Sequence, residues 1–223
     1  METKYPNLNE FFKRNHAERN WATSETVSGV GSELRFTRDL HKNLVSFINK
    51  NKVSSLLDLP CGDLNYIKHV IAEIKLERPF GYVGADIATN LIAENIINFP
   101  ELEFRALNVV SDPLLACDMI LVRDCLVHLP TDLVLNALKN LSKTKTKFIA
   151  VTTFPEHPIN VELSALGSWR TLNLCAEPFN LPEPLDIIVE NCAEYGGEYK
   201  DKSLGVWSPS QIREAISAAA SSR

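Results

Sequence analysis

Glycine is scarce where this chain most invites it. Nine glycines occur in 223 residues, and the turn after the first apolar strand, within SSLLDLPCGDLNY at residues 54–66, holds only Gly62. A pyrophosphate cradle uses two or three glycines and a row of free backbone donors. Pro60 has no N–H to offer and cannot take a positive φ, so the turn is poorly suited to a dinucleotide. Positive charge is short as well. Twenty-three Lys and Arg stand against 28 Asp and Glu, for a net charge of -5, which weighs against a nucleic-acid partner. No run of 18 apolar residues exists, so no membrane-spanning helix is expected. The start, METKYPNLNE, lacks the basic and apolar regions of a signal peptide. The five cysteines are odd in number and form no C-x-x-C pair. That excludes a disulfide framework and a zinc site and points to a reduced, cytoplasmic protein. There is no internal repeat, and the tail AISAAASSR is expected to fray.

What remains is an ordinary globular composition, 45% hydrophobic and 23% charged, with length for one large domain or one domain with additions. Residues 1–35 read as irregular and polar, around Trp21, Gly29 and Gly31. Phe36, Leu40, Leu44, Phe47 and Ile48 then recur at helical spacing. Beyond them short apolar strands alternate with helices: SSLLDL, FGYVGADI, LEFRALNVV, CDMILV and KFIAVTTF. This order predicts an α/β fold, a doubly wound and mostly parallel sheet. After Phe154 a long insertion rich in proline and asparagine interrupts the pattern, and a loop of that length is more often functional than idle. DIIVENCAEY and KSLGVWS read as a terminal antiparallel pair, completing seven strands. Ser208, Pro209 and Gln211 then mark the start of a last helix.

In open α/β sheets ligands bind outside the carboxyl ends of the strands. Those ends carry Asp58 and Asp63 around Gly62, then Asp86, then residues 108–112, then RDCLVH. Asp86 is placed to accept hydrogen bonds from ribose hydroxyls, or to serve as an acid at a helix N-terminus. Acceptors without a phosphate cradle suit a cationic nucleoside, and S-adenosylmethionine is one. Asp124 and His128 stand at i and i+4 and would share a face on a helical turn. A histidine beside a carboxylate is a candidate general base, and a histidine satisfied by a backbone group is the plainer alternative. In the insertion, Trp169 and Arg170 pair an apolar plate with a planar cation that could grip an anion, or cap the core. Tyr195, Tyr199 and Lys202 flank the last turn and could face the same mouth. Cys61 and Cys125 lack an activating motif and read as packed thiols.

These segments resemble the class I S-adenosylmethionine-dependent methyltransferases. LLDLPCGD is similar to their first motif, YVGADI to the second and DMILVRDCLVHL to the fourth, and the antiparallel last strand is a family mark. PCGD with SWRTLNL, EPFNLPEPL and DKSLGVW resembles a small bacterial subfamily. Pro60 and Leu64 stand where glycines are usual. The resemblance implies a Rossmann-like methyltransferase fold using S-adenosylmethionine. Asp58, Pro60, Gly62 and Asp63 would lie at the methionine side. Asp86 and Ile87 would hold the ribose and the adenine edge, Asn108 and Val109 would flank the adenine, and Arg123 with Asp124 would lie under the methionine. Gly29, Gly31 and Ser32 would close over the cofactor as a lid.

The expected division is a lid and helix at 1–52, a cofactor core at 53–154, a substrate-binding insertion at 155–186 and a terminal pair with its helix at 187–223. The expected activity is methyl transfer to a small molecule, at the oxygen of a sugar-like or anionic acceptor. Expected partners are that acceptor, no nucleic acid and no membrane, in a monomer or homodimer. N-methylation, an RNA or protein substrate, a nicotinamide dehydrogenase and a non-catalytic module stay open as alternatives.

Overall fold

The computed structural model describes residues 5 and 7–221. Residues 1–4 and 6, in the stretch read for a leader, and 222–223, in the tail expected to fray, lie outside the described residues. Ahead of the sheet come α1 (Leu8–Ala17), a 3-10 turn (Val30–Ser32) and α2 (Arg38–Lys50). Then follow β1 (Ser55–Asp58), α3 (Ile67–Glu73), β2 (Gly81–Asp86), α4 (Thr89–Asn98), β3 (Glu103–Ala106), β4 (Met119–Val122) and α5 (Thr131–Leu141). The chain closes with β5 (Phe148–Thr153), β6 (Asp186–Val189), β7 (Ser203–Trp207) and α6 (Pro209–Ser221).

One correction falls at the start: α1 stands in a stretch read as irregular. Asn7 caps it, its side chain accepting from the amides of Asn9 and Glu10 at 3.0 and 3.4 Å. A cap of this kind answers helix amides that have no partner of their own. Only Leu8, Phe11 and Phe12 supply its apolar stripe, too short a run for periodicity to reveal.

The seven strands form one sheet in the order β3-β2-β1-β4-β5-β7-β6. All neighbours are parallel except β7, which is antiparallel to both β5 and β6. The strands are apolar on both faces because both are covered. Leu57, Ile120, Val122, Ile149 and Val151 pack with Val134 and Leu138 of α5. Their alternates Leu56, Met119, Leu121 and Ala150 pack with Leu40 and Leu44 of α2 and Ile67 and Val70 of α3. On β7, a Cβ at Gly205 would come within 2.2 Å of the Trp207 ring. Glycine there makes room for the buried indole, whose Nε1 donates to Pro182 O at 2.8 Å.

Residues 155–185 carry no helix or strand yet are tied into the core. Leu172, Leu174, Phe179 and Leu181 are buried, Phe154 N donates to Leu172 O at 2.8 Å, and Asn160 Nδ2 bridges the carbonyls of Asn173 and Glu177. The start of α6 forms the expected reciprocal cap: Ser208 N donates to Gln211 Oε1 at 2.9 Å and Gln211 N to Ser208 Oγ at 3.3 Å. Among the described residues no helix is long and apolar enough to cross a membrane.

Candidate active site

The order of the parallel strands reverses between β1 and β4, and the space above such a reversal is where open α/β sheets bind ligands. A cavity of about 590 Å³ lies there, walled by the strand ends, by α1 and by the segment 27–32. It is lined by Pro60, Gly62, Asp63, Asp86, Ile87, Asn108, Val109, Arg123, Asp124 and His128. Gly29, Gly31 and Ser32 line it from the N-terminal segment, and Trp169, Tyr195, Tyr199 and Lys202 from the outer side. Two of the residues singled out from the sequence do not reach it, Asp58 and Arg170.

Asp58 is buried beneath the turn. It accepts from Tyr82 Oη at 2.9 Å, while its Oδ1 is buried with no partner among the described residues. Burial pushes its carboxyl up to about 7, against the pull of the Tyr82 hydrogen bond and the Arg123 charge. Arg170 is also buried, and both terminal nitrogens of its guanidinium are engaged. Its guanidinium donates to Val161 O at 2.6 Å, Leu129 O at 2.7 Å and Glu162 Oε1 at 3.1 Å. It pins the insertion to the start of α5, so the reading of Arg170 as a grip on an anionic acceptor is corrected.

The turn itself keeps a glycine-like path with a single glycine. Gly62 has φ +55° and Leu64 φ +59°, a region that a leucine rarely adopts. Leu64 is held there by its buried side chain. A Cβ on Gly62 would sit 2.3 Å from Ser28 Oγ, so the N-terminal segment lies directly on this turn. Asp63 fastens it: the carboxylate accepts from Thr26 Oγ1 at 2.8 Å, Val27 N at 2.9 Å and Ser28 Oγ at 2.8 Å. Both its oxygens are engaged in that way.

Asp86 is buried at the end of β2 and accepts from Ala88 N at 2.9 Å. Burial pushes it up to about 6, opposed by backbone amides of Ala88, Gly62 and Ile87. Asn108 spends its Oδ1 on Val110 N at 2.9 Å, while its own amide donates to Asp112 Oδ2. That pair shapes the turn that presents Val109.

Beyond β4 the site is ionic. Arg123 donates to Glu190 Oε2 at 2.8 Å and to Gly31 O at 2.8 Å, and its Nη1 lies 3.2 Å from Asp124 Oδ2. Lys202 donates to the same Asp124 oxygen at 2.6 Å. Burial would push Asp124 up, but Lys202 and Arg123 outweigh it and hold the carboxylate ionised. Asp124 Oδ1 is buried and has no partner among the described residues. Asp124 is therefore not the carboxylate that orients His128, and the shared helical face expected for the two does not form. Asp124 has φ +48° and the helical turn is only Leu126–His128.

His128 is set by other means. Its Nδ1 lies 2.9 Å from Ser168 O. A carbonyl only accepts, so Nδ1 carries the proton and the neutral ring keeps its lone pair on Nε2. Burial lowers its pKa against the Ser168 hydrogen bond and the Asp124 charge, so the ring is neutral at pH 7. The Trp21 ring stacks on it at 4.8 Å and 27°. Burial raises the thiols of Cys61 and Cys125, the latter to about 12, which fits packed, unreactive groups.

No protein-family model matches this sequence, and a search of the curated proteins finds no match. Solved structures do match it. A magnesium protoporphyrin IX methyltransferase from Synechocystis PCC 6803, with bound SAM, aligns at TM-score 0.52 and 12% identity over 72% of this chain and 82% of that one. PigF with SAH aligns at TM-score 0.55 and 13% identity, over 78% of this chain and 56% of that one. This is the Rossmann-like class I methyltransferase fold. Here it takes the order β3-β2-β1-β4-β5-β7-β6, with β7 antiparallel to its neighbours.

Three groups of that site escaped the sequence reading. Glu190 directly follows β6, and an acid just after an apolar strand was the available signal. Trp21, Phe12 and Asn15 enter from the N-terminal segment, where only the isolated tryptophan stood out. Thr26 and Ser28, which hold Asp63, carry no signal at sequence level.

Proposed function

We propose that the chain is an S-adenosylmethionine-dependent methyltransferase acting on the hydroxyl of a small molecule. The observation that carries this reading is the union, in one cavity, of acceptors suited to a cation and of a neutral histidine suited to a proton. The described residues fit the cofactor. Asp124 offers a buried oxygen with no partner among the described residues, a place for an ammonium. Asp86 offers a buried carboxylate to ribose hydroxyls, and Ile87 and Val109 offer apolar sides to a base. Gly62 leaves no room for a side chain beneath the N-terminal segment, so the backbone itself forms that wall. S-adenosylmethionine supplies a methyl group on a sulfonium, which leaves as a neutral thioether.

The chain's own part is alignment, proton removal and exclusion of water. His128 Nε2 takes the hydroxyl proton as the acceptor oxygen bonds to the methyl carbon. Trp169, Tyr199 and Tyr195 edge the outer cavity, with Trp169 and Tyr199 centroids 4.8 Å apart. They suit an acceptor with a flat apolar face, a sugar ring included. With Arg170 committed elsewhere, an anionic acceptor loses its main support. The net charge of -5 supports a small-molecule acceptor over RNA. Within the expected lid-and-helix unit 1–52, Gly29, Gly31 and Ser32 serve as the lid of this scheme and α2 as the supporting helix, beside the cofactor core 53–154, and residues 155–186 bear on the acceptor through Trp169.

Calorimetry with S-adenosylhomocysteine tests the first half: micromolar binding is expected, and a folded sample that gives no heat would sink the reading. A turnover screen across hydroxylated acceptors tests the second half. His128→Gln is expected to lower kcat by ~10²-fold or more at unchanged cofactor affinity.

A further inference from the structure

We propose that Trp21 is the positioning residue for His128, so that the acceptor site is complete only when the N-terminal segment is seated. The inference rests on the reading of His128 as the base but concerns a residue on a different part of the fold. Two restraints act on the imidazole, and they are independent. One is along its edge, the Nδ1 hydrogen bond to Ser168 O at 2.9 Å. That bond fixes the tautomer and restrains one edge of the ring, while the ring plane can still swing a little through χ1 and χ2. The other is across its face, the Trp21 ring at 4.8 Å and 27°. An offset stack of this kind removes that swing. Together they hold Nε2 in one direction.

The indole is itself held from two sides. Phe12 of α1 packs against it at 6.0 Å, and α1 is tied to the sheet edge through Asn9 Nδ2 on Ile87 O at 2.9 Å. On the other side, Asp63 binds Thr26, Val27 and Ser28, and Arg123 donates to Gly31 O at 2.8 Å. The residues that carry Trp21 to His128 are thus anchored on the cofactor turn and on the ionic cluster beneath it. Seating the segment and aiming the base are one event in this geometry.

Trp21 also keeps water from one face of the ring. The charged groups that act on His128 are Asp124, which favours its protonated form, and Lys202, which opposes it. Residues 167 and 168 contribute backbone dipoles from the insertion, and Trp21 adds no charge. Removing the indole leaves that balance of charge in place and increases hydration. Hydration favours the protonated ring, so the titration midpoint of His128 rises. A base acts when deprotonated, so the acid limb of the rate profile moves to higher pH.

The test combines NMR titration of His128 in the full chain, assigned against His128→Gln, with the pH profile of kcat. Trp21→Ala is expected to raise the His128 midpoint, move the acid limb the same way and lower kcat ~10-fold or more, part of what a base supplies. The KM for S-adenosylmethionine should stay within about twofold, since a shared loss would mean general damage. Trp21→Phe, which keeps a stacking ring, should recover most of kcat and the wild-type midpoint. Trp21→Leu, which fills the space without a π-face, keeps the question open to decision if the alanine variant fails to fold, and should still lower kcat. An unchanged His128 midpoint together with an unchanged acid limb in a folded Trp21→Ala variant, or an unchanged kcat in a folded Trp21→Leu variant, overturns the proposal. The NMR arm needs no turnover. A failure of Trp21 to influence His128 is therefore distinct from a failure of the methyltransferase reading, which the binding of S-adenosylhomocysteine reports separately.

Discussion

Lys202 Nζ donates to Asp124 Oδ2 at 2.6 Å, joining the residue just before β7 to the loop just after β4. The pairing follows from the one antiparallel strand. Parallel strands bring their carboxyl ends to the cavity edge of the sheet. Because β7 runs the other way, its beginning arrives at that edge. β6 again runs with the majority, so Glu190 at its end arrives there too. Arg123 and Lys202 then face Asp124 and Glu190 in a cluster from which water is largely excluded, with Glu194 at 3.8 Å from the ammonium.

Removing one charge from such a cluster leaves the others uncompensated, and that loss is larger than the net worth of the pair. Lys202→Met should destabilise the protein by about 3–5 kcal/mol, which for a chain of this size is a fall in Tm of ~10 °C. Differential scanning calorimetry reads it. A fall under about 3 °C would show that the cluster is already hydrated.

Asp58 gives a pH signature of the opposite kind. Its folded pKa, about 7, lies above the ordinary value of 3.8. The unfolded chain ionises first, so the folded state binds the extra proton between about pH 4 and pH 7. Stability from this group is full below that window and is lost as pH rises through it. Asp58→Asn keeps an acceptor for Tyr82 but has no proton to lose. The variant should match the wild type near pH 4 and exceed it by roughly 2–4 kcal/mol at pH 8. Urea unfolding at the two pH values decides it; equal differences at both would mean that Asp58 is ionised in the folded protein.

The fold was legible in the sequence because its strands are apolar on both faces and its turns come at regular intervals. The antiparallel last strand was legible from the order of two strands after the insertion. The candidate site was legible at the strand ends, where Asp86, Asn108, Asp124 and His128 stand, and in the segments flanking its mouth, where Gly29, Gly31, Trp169, Tyr199 and Lys202 stand. Arg170 misled because an arginine beside a tryptophan looks alike in a pocket and in a core tie. Only its bonds to the carbonyls of Leu129, 41 positions away, and of Val161, nine away, reveal its task. Trp21 escaped because its partner is more than a hundred positions distant, and stacking leaves no local pattern.

Asp86 should matter to the ligand far more than to the fold. Its carboxylate already suffers from burial, so Asp86→Asn relieves a desolvation cost in the ligand-free protein. The same change removes a charged acceptor for ribose hydroxyls, a loss of about 1.5–3 kcal/mol. Calorimetry should find S-adenosylhomocysteine bound ~10- to 100-fold more weakly by a variant whose Tm at pH 8 is no lower than that of the wild type. Unaltered affinity would remove Asp86 from the binding site.

Asp63 offers the converse, a residue of the cofactor turn whose bonds all serve the segment above it. Thr26 Oγ1, Val27 N and Ser28 Oγ all lose their acceptor in Asp63→Ala. Each bond to an ionised acceptor is worth about 1.5–3 kcal/mol, but the loss acts locally because the segment can lift while the sheet stays folded. Hydrogen exchange should therefore quicken at the amides of residues 26–32 and remain slow in β1, β4 and β5. Arg123 still holds Gly31 O, so the segment should loosen rather than leave, and S-adenosylhomocysteine should bind several-fold more weakly. Slow exchange at residues 26–32 in the variant would show that Asp63 does not anchor the segment, and would shift that task to Arg123.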